Sequence, residues 1–171
     1  LKEIVTERYL TTGISKKKDG SFSIIPQKFG ILPGLIEPDV LLAMQQFLRN
    51  TISALAIGSA QTRAGIVSFS TGATIAADLN DHFTVSGLQG VVAALELTDA
   101  DALLGGALSV ARSILRSATR GGRAVAPDAI VVLTASTSQD SVSAAASILK
   151  AEGVAVSVVG GNQRREVTRM G

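Results

Sequence analysis

The 171 residues include no cysteine and no tryptophan, one tyrosine, and one histidine, His82. Without cysteine there is no disulfide framework, thiolate zinc site or cysteine nucleophile. A single histidine excludes a His-rich metal site, and any Ser-His-Asp triad would have to use His82. Aromatic residues make up only 4% of the chain, too little ring surface for a base-stacking nucleic-acid platform. Charge of one sign is lacking too: 16 basic against 14 acidic residues leave +2, too small to imply a polyanion partner. No apolar run approaches the roughly 20 residues of a membrane span. No secretory signal is visible, and the opening on Leu1 instead of Met reads as a processed product or a fragment. What the chain does have is 46% apolar and 18% charged residues, enough to build a core and too apolar for wholesale disorder. The length suits one domain.

Residues 1–27 read as an N-terminal extension, a β-hairpin or an assembly arm. They are polar with β-prone patches at Ile4-Val5, Tyr9-Leu10 and Phe22 to Ile25, and Asp19-Gly20 is a hairpin signal. From residue 28 the pattern becomes regular. Phe29-Gly30-Ile31-Leu32 reads as a strand, closed by Pro33-Gly34. After Pro38, the apolar residues Leu41, Met44, Leu48, Ile52 and Leu55 recur at helical spacing. Residues 63–69 and 73–79 read as a hairpin and residues 85–97 as a short helix. Residues 99–119 give the clearest helix, stopped by Gly121-Gly122. The run Ala129 to Leu133 (AIVVL) is apolar throughout, as in a strand buried on both faces. A helix over 138–152 and a strand over 154–159 follow. The predicted fold class is α/β: a doubly wound, mostly parallel sheet with one antiparallel edge strand and helices on both faces.

Several segments, in order, resemble the von Willebrand factor type A domain, the fold of integrin inserted domains and collagen VI. Ala56-Ile57-Gly58 with Arg63-Ala64-Gly65-Ile66-Val67-Ser68-Phe69-Ser70 is similar to the family's strand signature. Leu104-Gly105-Gly106-Ala107-Leu108 is similar to its TGxAL helix start. Ile130 to Ser136, followed by Lys150-Ala151-Glu152-Gly153-Val154, is similar to its later strand, helix and strand. The resemblance runs over residues 28–161 and puts the domain at 28–171, lacking the family's last strand and helix. It implies a ligand face at the carboxyl ends of the central strands. There the family holds a divalent cation, usually Mg²⁺, with Asp-x-Ser-x-Ser, a Thr and a further Asp, the oxygen donors a hard cation needs.

This chain departs from that set at all three places. Pro33 stands where the Asp belongs and Leu35 where the first Ser belongs, leaving Glu37 as the one oxygen donor of the turn. Asp101-Ala102-Leu103 occupies the Thr segment, and Ala135 replaces the last Asp. The expectation is a metal-free face with no cofactor and no Mg²⁺, whose turns touch a partner through Pro33, Gly34, Leu35, Glu37, Asp101, Thr134 and Ser136. One alternative metal set is Asp19, Ser21 and Ser23, a literal Asp-x-Ser-x-Ser. Ser15-Lys16-Lys17-Lys18 precedes it instead of a buried strand, so a polar β-turn is the simpler account.

His82 reads as a loop residue, since no Gly-x-Ser-x-Gly elbow accompanies it. The basic groups Lys16-Lys17-Lys18, Arg120 with Arg123, and Arg164-Arg165 suit either an acidic partner surface or plain solvation. The resemblance implies a non-enzymatic, extracellular protein-interaction or adhesion module of a matrix-like or assembly protein, with no nucleic-acid partner and no membrane span. Two alternatives remain at this point: a structural subunit forming homo-oligomers or polymers through its termini, and a cation-dependent receptor domain.

Overall fold

The computed structural model describes residues 21–26, 38–96, 102–134 and 138–160. Its strands are β1 (Ser21–Pro26), β2 (Arg63–Phe69), β3 (Ala73–Ala77), β4 (Asp128–Thr134) and β5 (Ala155–Gly160). Its helices are α1 (Pro38–Ser53), α2 (Val85–Ala93), α3 (Leu104–Arg116) and α4 (Ser143–Ala151). The sheet runs β3-β2-β1-β4-β5. All neighbours are parallel except β2 and β3, which form the expected antiparallel hairpin at one edge.

The period-two alternation of β2 and β4 sorts the core into two layers. Ala64 and Ile66 with Val131 and Leu133 pack against Leu48 and Ile52 of α1 and Leu88 and Val92 of α2. Val67 and Phe69 with Ile130 and Val132 pack against Ala107, Leu108, Ala111, Ile114 and Leu115 of α3 and Leu149 of α4. Helices therefore cover both faces, and the central strands must be apolar on both sides. Thr84 starts α2, its hydroxyl accepting from Gly87 N–H at 3.2 Å. A short 3₁₀ turn, Ala118–Arg120, follows α3. Gly121 closes it at φ +90°, and a Cβ there would meet Asn80 N at 2.8 Å, so both backbone and space demand glycine.

The first strand departs from the sequence expectation. Residues 29–32 lie outside the described residues. The middle of the sheet is filled instead by Ser21–Pro26, parallel to both β2 and β4. The sequence places this stretch, β-prone over Phe22 to Ile25 but preceded by Ser15-Lys16-Lys17-Lys18, in the extension. The sheet thus begins before residue 28; Asp19-Gly20 lies outside the described residues, and β1 after it pairs parallel on both sides instead of in a hairpin. The second departure is α4, which begins at Ser143 instead of residue 138, for a reason that lies at the candidate site.

Candidate functional site

The parallel strands β1, β2, β4 and β5 end together on one side of the sheet, where open α/β folds bind ligands. Thr134, the last residue of β4, stands there half-buried. It is the one residue of the predicted contact set within the described residues. Pro33, Gly34, Leu35, Glu37, Asp101 and Ser136 lie outside them.

The best-defined feature of this face is the start of α3. A helix N-terminus leaves backbone N–H groups without intrahelical partners. The residue in the capping position is Leu103, which has no capping side chain. The donors are instead met by the segment after β4. Ser138 Oγ accepts from Leu104 N–H at 3.0 Å. Asp140 accepts from Gly105 N–H through Oδ1 at 2.9 Å and from Gly106 N–H through Oδ2 at 2.8 Å. The Ser138 hydroxyl donates to Asp140 Oδ1 at 2.5 Å. Two backbone bonds complete the stitching: Leu103 N–H to the Ser70 carbonyl at 2.9 Å, and Gln139 N–H to the Ala102 carbonyl at 2.8 Å. Residues expected to begin α4 are thus spent on capping α3, and α4 starts later.

The carboxylate suits this place because the helix dipole is positive there. Burial pushes the Asp140 carboxyl upward, but the Ser138 hydroxyl and the Gly105 and Gly106 N–H groups outweigh that and hold it below the usual aspartate range. A lowered folded-state pKa means that the stabilisation is present above the unfolded value, about 3.9, and is lost as pH falls through the folded one. We expect Asp140→Asn to cost about 1 kcal/mol at pH 7, as for loss of a helix cap. The melting-temperature gap to wild type, roughly 2–4 °C, should hold from pH 7 to 5 and shrink below about pH 4. A gap independent of pH would contradict this.

The metal question turns on donors. With β1 at Ser21–Pro26 the segment after the first strand starts at Gln27, so the match of Pro33 and Leu35 to the ligand positions, which rests on a strand at 29–32, does not hold; Ala135 supplies no side-chain oxygen. Asp140, the carboxylate stitched beside Ala102 and Leu103, already accepts from two N–H groups and a hydroxyl. Among the described residues, no group of three or more His, Cys, Asp or Glu could hold a metal ion. The segments expected to carry the family's cation ligands, residues 27–37, 97–101 and 135–137, lie outside the described residues. The alternative motif stands elsewhere: Ser21 pairs in register with Arg63 and Asp128, the first residues of β2 and β4. That is the amino end of the sheet, about 17 Å of strand from the carboxyl ends.

The sequence of residues 19–170 matches the von Willebrand factor type A domain. The chain belongs to this family. The match begins before β1, in accord with a sheet that starts inside the expected extension. Proximal thread matrix protein 1 from the mussel byssus, solved with a zinc-occupied MIDAS motif, superposes with a TM-score of 0.77 at 19% identity over 85% of this chain and 38% of that one. The manganese-loaded TRAP protein of Plasmodium vivax gives 0.72 at 14% identity, over 86% and 60% of the two chains. An aerotolerance-related membrane protein from Bacteroides fragilis gives 0.66 at 16%, over 82% and 67%. At such identities these likenesses establish the fold. The chain spans less than two-fifths of the mussel protein's length. No curated protein matches the sequence. The family's domains are generally protein-interaction modules. No described helix is long and apolar enough to cross a membrane.

Other residues singled out in the sequence have structural duties. His82 packs beside the start of α2, where a Cβ on Gly87 would come within 2.9 Å of its Nδ1. Arg120 pairs with Asp78 at 3.1 Å, and Arg123 donates to the Gln61 carbonyl at 2.7 Å. The sequence reading missed Asp140. Its signal was legible: a helix opening Leu-Leu-Gly-Gly with no capping residue needs acceptors from elsewhere, and Ser-x-Asp after the next strand supplies them.

Proposed function

We propose that this von Willebrand factor type A domain is a non-enzymatic, extracellular protein-binding module of an adhesive or matrix assembly, and that it grips its partner without a bridging cation or other cofactor. The turns after β1, before α3 and after β4 form the contact face, with Pro33, Gly34, Leu35, Glu37, Asp101, Thr134 and Ser136 touching the partner. Family membership supports the interaction reading. The observation that supports cation independence is the Asp140–Ser138 clamp on α3: this described carboxylate of the face serves the protein's own N–H donors. The likeness to a byssal matrix protein favours a matrix setting.

The test is adhesion of the domain to a panel of immobilised matrix proteins, in Mg²⁺ and in EDTA. We expect binding of equal strength in both, cut at least tenfold by Thr134→Arg with the melting temperature unchanged. Binding abolished by EDTA would overturn cation independence. Binding to no member of the panel would count against the adhesion reading.

A further inference from the structure

Arginines of two kinds gather toward the amino end of the sheet, opposite the proposed contact face. Arg112 pairs with Glu152, Arg116 with Asp128 and Glu152, and Arg120 with Asp78. Among the described residues, Arg63 and Arg123 meet no carboxylate. Arg63, the first residue of β2, donates from Nε to the Ser59 carbonyl at 3.0 Å and from Nη1 to the Gly121 carbonyl at 2.9 Å. Arg123 donates from Nη2 to the Gln61 carbonyl at 2.7 Å, and its Nε is buried without an acceptor. Each side chain reaches into the other's loop, so the two clasp residues 59–63 to residues 121–123. Carbonyl groups fix both guanidinium groups in place but give neither an ion-pair partner.

Two exposed apolar side chains flank the clasp. The Phe83 ring is 39% exposed, and the Arg63 guanidinium lies over it, 5.7 Å from its centre. Val125, 99% exposed, stands at the tip of the turn closed by Ala126 N–H on the Arg123 carbonyl at 3.2 Å. Aromatic residues and arginine are the types enriched where proteins dock. The acids at this end are committed within the chain: Asp78 to Arg120, Asp128 to Arg116, and Asp81 to the Asp78 N–H at 2.7 Å.

We propose that this end of the domain is a second docking surface, and that its occupant is an acidic segment of a partner protein, with carboxylates on Arg63 and Arg123 and an apolar side chain laid against Phe83 and Val125. A guanidinium already fixed by carbonyls loses little side-chain freedom when a carboxylate arrives. Arg63 keeps Nη2 and Arg123 keeps Nη1 to donate to it. Two apolar side chains are too small a face for a lipid surface to take up stably. One ring, already covered by a guanidinium, is no stack for nucleic-acid bases. The surface is separate from the contact face at the far end of β4, and Thr134→Arg alters only the latter.

The test is fluorescence anisotropy of the full chain with two labelled peptides: Glu-Glu-Leu-Glu-Glu-Leu-Glu-Glu, and the same peptide with every Glu replaced by Gln. We expect the acidic peptide to bind and the neutral one to bind more weakly by about tenfold, as for loss of charge-assisted hydrogen bonds. Arg123→Gln and Val125→Asp should each weaken the acidic peptide by about tenfold. Val125→Asp should do so at an unchanged melting temperature, since that side chain lies outside the core. Thr134→Arg should leave the binding as it is. No binding of the acidic peptide at millimolar concentration would overturn the proposal, as would equal binding of the two peptides. Binding that either amino-end variant leaves intact, or that Thr134→Arg abolishes, would overturn it too. Tighter binding to phosphatidylserine vesicles than to the acidic peptide would assign the surface to lipid instead. A dimer in sedimentation that Val125→Asp dissolves would assign it to a second copy, and either result contradicts the proposal.

Discussion

Phe69→Ala should be among the most damaging single substitutions in this domain. The ring is fully buried at the end of β2, in the layer packed under α3. Truncating a buried Phe costs about 3–5 kcal/mol, the transfer of the ring plus the cavity it leaves. For a chain of this length that corresponds to a fall in melting temperature of roughly 10 °C. The effect should reach the ligand face. The next carbonyl, Ser70, receives the Leu103 N–H that holds the approach to α3. Urea unfolding measures the loss, and amide exchange at Leu103 and Leu104 should rise more than the global change explains. A cost below 1 kcal/mol would mean that the layer is far looser than its burial indicates.

Gly105→Ala should also destabilise, against the ordinary rule for helices. In an open helix the change gains about 1 kcal/mol. Here the added Cβ would lie 2.5 Å from the Ser141 carbonyl oxygen and 2.8 Å from Asp140 Oδ2. The first contact is backbone, so the 138–141 segment must move away from α3 and loosen the Asp140 clamp. Overpacking of this kind costs about 1–3 kcal/mol. Gly106→Ala is the matched control, since its nearest neighbour is Asp140 Oδ2 at 3.9 Å. We expect Gly105→Ala to lower the melting temperature and Gly106→Ala to leave it level or raise it. Equal effects at the two positions would contradict the close approach.

The two layers were legible in the sequence because their signals are local. Ala129 to Leu133 is apolar at every position, which only a strand covered on both faces tolerates. α1 and α3 carry apolar residues at helical spacing; α3, expected over 99–119, spans Leu104–Arg116 and gives way at the extended Ser117 to a 3₁₀ turn. β1 was misplaced because its neighbours, not its composition, make it central. Ser21-Phe22-Ser23-Ile24-Ile25-Pro26 is less apolar than Phe29-Gly30-Ile31-Leu32, and pairing with both β2 and β4 is a property of the assembled sheet. The start of α4 failed for a similar reason. Ser138 looks like a helix cap, and it is one, but for a helix more than thirty residues earlier. Of the candidate face, sequence reasoning placed Thr134 at the end of β4, where the structure has it. It did not reveal that Asp140 answers α3, because that contact spans 35 residues of chain.

The ionic cluster at the other end of the sheet follows the same logic of distant partners. Arg116 of α3 meets Asp128 at 2.7 Å and Glu152 at 3.0 Å, and Arg112 also pairs with Glu152. Burial raises the Asp128 carboxyl above its usual range, only partly offset by Arg116. Arg112 chiefly holds Glu152 below its own. These groups join α3, β4 and the end of α4 at the amino end of the sheet.

The most direct measurement is thermal unfolding of the domain in millimolar Mg²⁺, Mn²⁺ and Zn²⁺ against chelator. A cation bound at a hundred times its dissociation constant stabilises by about 2.7 kcal/mol, a rise of several degrees. We predict superimposable curves, because the start of α3 is held by Asp140 and Ser138 and not by an ion. A rise with any of the three metals, abolished by replacing Glu37, Asp101 or Thr134, would contradict the account.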